Sequence, residues 1–391
     1  MHSFQISLPT QVYFGNDQLE KLPEVLRTYG NKVMITYGGG SVKRTGLLDR
    51  LYGILTDFEV IEFGGIEPNP RIETLEAGGE LAKSEQPDVI LAVGGGSTID
   101  CSKGICAYPF YEGDAWEMVK TARVDRSAIK KNIPLVTILT LAATGSETNA
   151  AAVVQNDEEK MKIGFYSPHF IPKVSFMIPE LTYTVPAFQT AAGSADIMSH
   201  IFEVYFKKER SMIPTELAES LLRTVIHYAP IAVREPDNYE ARANLMWAGS
   251  LAINGLLAAG QSRDKWSCHA IEHELSAHYD ITHGAGLAVI YPRWMLHVLN
   301  EETLDTFVRF GIKVWDLDAN QLKHDIANQA IECTYNFFKN ELHIPMNLSE
   351  YGINDEHFEQ MATSAVELGN LQDGFVALSK EDVLEIYQAS L

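Results

Sequence analysis

The stretch Asp88-Val89-Ile90-Leu91-Ala92-Val93-Gly94-Gly95-Gly96-Ser97-Thr98-Ile99-Asp100 decides how this chain folds. Its apolar run reads as a buried strand, which empties into three glycines and then a Ser/Thr-capped helix. Glycines let backbone N–H groups approach an anion closely, and a helix N-terminus adds a favourable dipole. The turn is not the G-x-G-x-x-G fingerprint, and a tight strand–helix turn without a ligand is the plain alternative. Asp100 and Lys103, one turn into the helix, make the phosphate-cradle reading more specific, because both can contact ribose or substrate groups.

Working outward, β-rich runs recur at Gln11–Phe14, 32–36, 58–63, 89–93 and Leu135–Leu139. Amphipathic stretches at 17–29, 72–85 and 98–107 lie between them. Strands separated by helical patterns imply parallel βαβ units. After Pro186 the texture changes to long apolar-periodic segments, punctuated at Ile213-Pro214-Thr215, Pro236-Asp237, Gly260, Asn300 and Gly352-Ile353-Asn354. Pro214 suits the first turn of a helix, where its missing N–H costs nothing. Ser379-Lys380-Glu381-Asp382 before an apolar run predicts a capped terminal helix. The expected division is an α/β domain over 1–185 and an all-helical domain over 186–391.

A second glycine turn, Tyr37-Gly38-Gly39-Gly40-Ser41, follows the strand at 32–36. In nucleotide folds this position reads the adenosine ribose, and an acid there bonds the 2′-hydroxyl. Here the turn has no acid, and Lys43 and Arg44 lie just beyond. That permits a 2′-phosphate, so NADP(H) is favoured over NAD(H); a solvated helix face is the alternative for the two cations. A third patch, Thr137-Ile138-Leu139-Thr140-Leu141-Ala142-Ala143-Thr144-Gly145-Ser146-Glu147, offers hydroxyls and small residues at a strand end that suit contacts to a cofactor; taken alone it reads as an ordinary loop.

The helical half carries Asp196-x-x-x-His200, then Cys268-His269-x-x-x-His273, then His283. Four-residue steps place side chains on one helical face. These five carboxylate and imidazole positions are enough to hold a catalytic divalent metal. Asp196, set among Ala195, Ile197 and Met198, needs a partner charge, which a cation supplies. Cys268 points off the shared face, as does His278. Glu272 and Glu274 read as surface charges, with a place behind the ligands as the alternative. His227, His297, His324 and His357 are expected to be ordinary hydrogen-bonded residues.

Composition narrows the function class. A net charge of −21 argues against nucleic acid and against anionic membrane surfaces. Four cysteines without CxxC pairing, no apolar run of transmembrane length and no leader pattern lead to a reduced, cytoplasmic expectation.

Asn69 in Pro68-Asn69-Pro70, the segment at 94–103, the segment at 140–147, Lys162 and the Asp/His cluster occur in an order that resembles the iron-containing alcohol dehydrogenases. The resemblance spans nearly the whole chain and is strongest to the butanol dehydrogenase and broad aldehyde reductase branch, which shares the Tyr-Gly-Gly-Gly-Ser turn. It implies a Rossmann-like N-terminal domain, an all-α metal-binding domain of dehydroquinate synthase-like architecture, a cleft between them, and a homodimer. It implies metal ligands at Asp196, His200, His269 and His283, with Fe2+ or Zn2+ bound. It implies cofactor contacts at Gly39, Gly40, Ser41, Asn69, Gly95, Gly96, Ser97, Asp100, Thr140, Thr144 and Lys162, and it sets His273 beside the nicotinamide as a histidine that is not a ligand. The acid–base chemistry of histidine makes a proton relay its expected role. Ser276 and Thr282 depart from the glycine and proline usual in the family, which bears on pocket detail and removes no ligand.

The expected activity is reduction of short aldehydes, or oxidation of the matching primary alcohols, with NAD(P)H. A glycerol dehydrogenase-like polyol oxidoreductase is the nearest rival, but it uses three protein ligands where four are present here. From another class, a metal-dependent hydrolase would use the glycine turns for a phosphorylated substrate.

Overall fold

The computed structural model describes residues 1–391, which form two compact units. One comprises residues 7–185 with 237–250; the other comprises 186–236 and 251–391 with the first six residues.

In the sheet unit, the strands are β1 (Gln11–Phe14), β2 (Lys32–Gly38), β3 (Glu59–Ile66), β4 (Val89–Gly94), β5 (Leu135–Leu139), β6 (Ala151–Asn156), β7 (Met161–Tyr166) and β8 (Val174–Met177). Six form one sheet in the order β1-β8-β5-β4-β2-β3, with every pair parallel. The expected βαβ pattern is therefore present. The β6–β7 hairpin is antiparallel and separate, and the sequence pattern missed both it and β8. Every residue of β4 is buried, which is why its sequence is continuously apolar rather than alternating.

The helices of this unit are α1 (Leu22–Arg27), α2 (Ser41–Arg44), α3 (Leu47–Ile54), α4 (Ile72–Glu85), α5 (Gly96–Ala107) and α6 (Ala115–Val124). Strand order reverses where the chain runs from β2 outward to β3 and then back through α4 to β4 on the other side of β2. Thr36 pairs with Ala92 and Tyr37 with Val93. The two glycine turns thus leave adjacent parallel strands at a topological switch point, where open α/β sheets bind ligands.

The helical unit follows α7 (Ala187–Tyr205) with α8 (Met212–Arg234), α9 (Tyr239–Ile253), α10 (Ser267–Tyr279), α11 (His283–Val298), α12 (Leu304–Val314), α13 (Lys323–Asn336), α14 (Phe358–Gly369) and α15 (Lys380–Ala389). All of α9 except its last three residues belongs to the sheet unit. Helix α7 is buried from Thr190 to its end, as an apolar-all-round helix must be. Pro214 sits in the first turn of α8, and Ser379 and Asp382 form the capping box that starts α15. At the N-terminus of α11, Gly284 lies so close to the Ala192 carbonyl of α7 that a Cβ would overlap it. Glycine here sets the spacing of the two helices that carry Asp196, His200 and His283.

Candidate active site

Helices α7, α10 and α11 bring the predicted acid and imidazoles together. Asp196, His200 and His269 are buried, and their ligand atoms lie within 4.8 Å of one another. Asp196 Oδ1 is 3.7 Å from Nε2 of His200 and also 3.7 Å from Nε2 of His283. The His200 and His269 rings stack at 4.9 Å between centroids, and His269 and His283 meet at 5.5 Å. His273 borders this group, 5.5 Å from the His283 ring, and joins His283 and Glu272 in a second trio.

Two carboxylates behind the cluster decide its chemistry. Glu203, one turn beyond His200, lies 3.1 Å from His269 Nδ1 and also accepts the His269 backbone N–H. Glu272 takes His283 Nδ1 in a very short contact and the Ser276 hydroxyl at 2.6 Å. A carboxylate only accepts, so each imidazole donates from Nδ1 and presents the Nε2 lone pair inward. His269 Nε2 is buried with no hydrogen-bond partner. Burial, then the neighbouring His269, pushes the His200 pKa well below its ordinary value, so that its imidazole is neutral. Neutral nitrogens oriented by carboxylates, around one buried acid, are what a first-row divalent cation requires. The donor set fits.

Glu272 and Glu274 are not the surface charges expected from the sequence: both are buried. Room for Glu272 comes from Gly286 of α11, where a Cβ would press on its side chain. Glu203 went unnoticed in the sequence although it continues the face of Asp196 and His200 at the seventh position, the signal by which it was legible. Cys268 is buried and its thiol pKa is pushed well above the ordinary range, by burial first and then by Glu203. His278 turns away toward Glu274 and the His357 ring.

In the sheet unit, Gly39, Gly40 and Ser41 form the turn after β2; Gly40 has φ 107°, a conformation glycine alone adopts readily, and a Cβ at Gly39 would meet nothing within 4 Å. Gly95, Gly96 and Ser97 open α5, whose N-cap Gly95 supplies no side-chain cap. Its first amides are left for a ligand rather than for a serine or aspartate. Thr140 donates its backbone N–H to Gly94, and Thr144 packs on Gly96 where a Cβ would overlap it. Lys162 of β7 donates to Asn69 Oδ1 at 2.9 Å, so the 68–70 segment and the hairpin meet. Asp100 and Lys103 are turned inward: Asp100 accepts from Ser146 Oγ at 2.5 Å and from the Val153 N–H, and Lys103 donates to Asn149 and to the Ala151 carbonyl. Their buried charges anchor α5 to the β6 segment.

Comparison with known proteins accounts for both units. Residues 9–179 match the iron-containing alcohol dehydrogenase family and 190–391 match the Fe-containing alcohol dehydrogenase family, C-terminal. The chain belongs to the iron-containing alcohol dehydrogenase family. It is 49% identical over 394 residues to NADH-dependent butanol dehydrogenase A of Clostridium acetobutylicum, covering 100% of both chains. It is 38% identical over 381 residues to an NADPH-dependent aldehyde reductase of Escherichia coli, covering 96% of this chain and 95% of that protein. The crystal structure of NADH-dependent butanol dehydrogenase A from Thermotoga maritima superposes with a TM-score of 0.93 at 35% identity, covering 100% of this chain and 99% of that one. As a member of this iron-containing alcohol dehydrogenase family the chain is an oxidoreductase, and the hydrolase alternative falls away.

Proposed function

We propose that this protein reduces short, butanol-sized aldehydes to primary alcohols, and catalyses the reverse oxidation, using NADH and one divalent metal held by Asp196, His200, His269 and His283. The observation that carries it is the convergence of three imidazoles and a buried carboxylate, two of the imidazoles aimed by Glu203 and Glu272. When bound, the cation supplies positive charge that polarises a carbonyl oxygen. Asp196 offsets part of that charge and the three neutral imidazoles leave the rest available. The turns at 39–41 and 95–97 hold the cofactor's phosphates and adenosine end on backbone amides, with Asn69, Thr140, Thr144 and Lys162 bordering it. Asp100 contributes by holding α5 in place. His273, half-buried beside His283, passes a proton from an imidazole nitrogen to the forming alkoxide, a task suited to imidazole as a proton donor and acceptor.

NADH rather than the NADP(H) favoured from sequence is proposed because Lys43 is already paired with Glu62 at 2.8 Å. Relatives at 49% and 46% identity are named NADH-dependent, against the NADPH-dependent reductase at 38%. Iron(II) is the proposed ion, with zinc compatible with the same donors. A cytoplasmic setting accords with four free cysteines. No helix is long and apolar enough to cross a membrane. Self-association into a dimer accords with the exposed apolar residues Phe4, Ile6 and Leu8.

The test is oxidation of NADH on adding butanal to protein purified without air, alongside elemental analysis. Absence of turnover with every short aldehyde, in metal-replete protein, sinks the proposal. His273→Ala with unchanged turnover and pH profile removes the proton relay alone.

A further inference from the structure

The edge strand beside the first glycine turn carries a carboxylate that none of the foregoing chemistry uses. Glu62 of β3 receives the Tyr37 hydroxyl in a very short hydrogen bond, the Tyr52 hydroxyl of α3 at 2.6 Å, and Lys43 Nζ of α2 at 2.8 Å. Lys43 also stands 5.1 Å over the Tyr37 ring. Three donors from three elements therefore converge on one partly exposed acid. The arrangement is built into the backbone as well: at Gly64 a Cβ would overlap the Tyr37 ring, so glycine there is what lets the tyrosine cross the edge strand toward Glu62. A lone surface ion pair contributes little. Here Lys43 first, then both tyrosines, hold the Glu62 carboxyl down to about 2, which keeps it ionised at every physiological pH.

At a switch point, the end of the second strand reads the adenosine ribose, and a negative charge there accepts from the 2′-hydroxyl and repels a 2′-phosphate. Residues 38–41 hold no acid. Glu62 brings one in from the neighbouring strand and neutralises Lys43, one of two cations beside the turn; the other, Arg44, has its guanidinium against Gly40. We infer that Glu62 is the specificity-determining residue for the cofactor, admitting NADH and rejecting NADPH. The inference rests on the proposed dinucleotide site at this turn. One carboxylate facing a dianion about 6 Å away in water discriminates on the order of tenfold.

The test is a binding titration with NADH and NADPH, read by reduced-nicotinamide fluorescence without aldehyde. The protein as it stands binds NADH more tightly. Glu62→Gln, which keeps the shape and an acceptor for the tyrosines, tightens NADPH by on the order of tenfold and moves NADH less than about twofold. Lys43→Met leaves the Glu62 charge uncompensated and so weakens NADPH further in the parent protein, and it cancels the NADPH gain in the Glu62→Gln background. An unchanged NADH-to-NADPH ratio in Glu62→Gln, or equal weakening of both, overturns the inference; a merely structural role gives equal weakening. If the variant does not fold, salt decides in the parent protein. At about 1 M, where screening reaches ~3 Å, the preference for NADH narrows, and a preference that holds or widens overturns the inference. Failure of the parent protein to bind either dinucleotide overturns the site itself, a result distinct from failure of the Glu62 assignment.

Discussion

The two units bury charge in opposite ways. In the sheet unit, Asp100 and Lys103 sit inside the protein with their polar atoms answered by Ser146, Val153, Asn149 and Ala151. Nothing is left over, and the ligand surface is made of backbone amides and missing side chains. In the helical unit, Glu203 and Glu272 are answered by one nitrogen of an imidazole, and the other nitrogen is thereby aimed at a common point. Saturated burial makes scaffold; half-saturated burial makes a site. The first suits a phosphate, an anion that backbone N–H donors at a helix N-terminus can hold. The second suits a cation, whose arrival completes the pairing.

The sharpest way to break this contrast is His269→Ala. It is expected to lose the metal and several kcal/mol of transition-state stabilisation, roughly a 10³-fold drop in butanal turnover. Elemental analysis and circular dichroism should show metal gone and helices intact; unchanged turnover would mean the cluster is not the reactive centre. Lys103→Met should do the reverse. Leaving Asp100 buried without its counter-charge is expected to cost about 3–5 kcal/mol in denaturant unfolding, with no effect on metal content. An unaffected midpoint would show that the inner network is not scaffold.

A smaller effect is expected from Glu272→Gln. The imidazole keeps an acceptor but loses the ion, so metal affinity should fall roughly 10–100-fold with little change in folding, measured by chelator competition. An affinity equal to the parent's would reduce Glu272 to packing. The smallest expected effect is a flat line. Glu62 is depressed from 4.5 to about 2, so the stability it contributes is fully present above 4.5 and is lost only as pH falls through about 2. Cofactor preference should accordingly not vary between pH 7 and 9, above the second ionisation of a 2′-phosphate at about 6, and a preference that collapses within that window would contradict this pairing.

Much of this was legible in the sequence, for definable reasons. A strand covered on both faces is written as an unbroken apolar run, and β4 and β5 are such strands. Four-residue steps announce a shared helical face, which is why Asp196, His200 and His269 were found. What escaped depends on contacts remote in the chain. Glu203 meets His269 from another helix, and Glu272 looks like a solvent-facing acid until Gly286 makes space for it. Lys103 reads as reaching toward a ligand, because nothing in its own helix reveals the hairpin that encloses it. The hairpin itself was hidden by Gln155, Asn156 and Lys162, polar residues whose burial depends on partners rather than on pattern.

Gly284 against the Ala192 carbonyl has a final consequence. The gap between α7 and α11 is gauged by main chain on main chain, which neither rotates away nor compresses as side chains do. A cage gauged in this way does not breathe to suit its guest. Ions of different radius would then be sorted by how well they tolerate a fixed aperture, and exchanging one first-row metal for another should alter the catalyst's vigour far more than its shape.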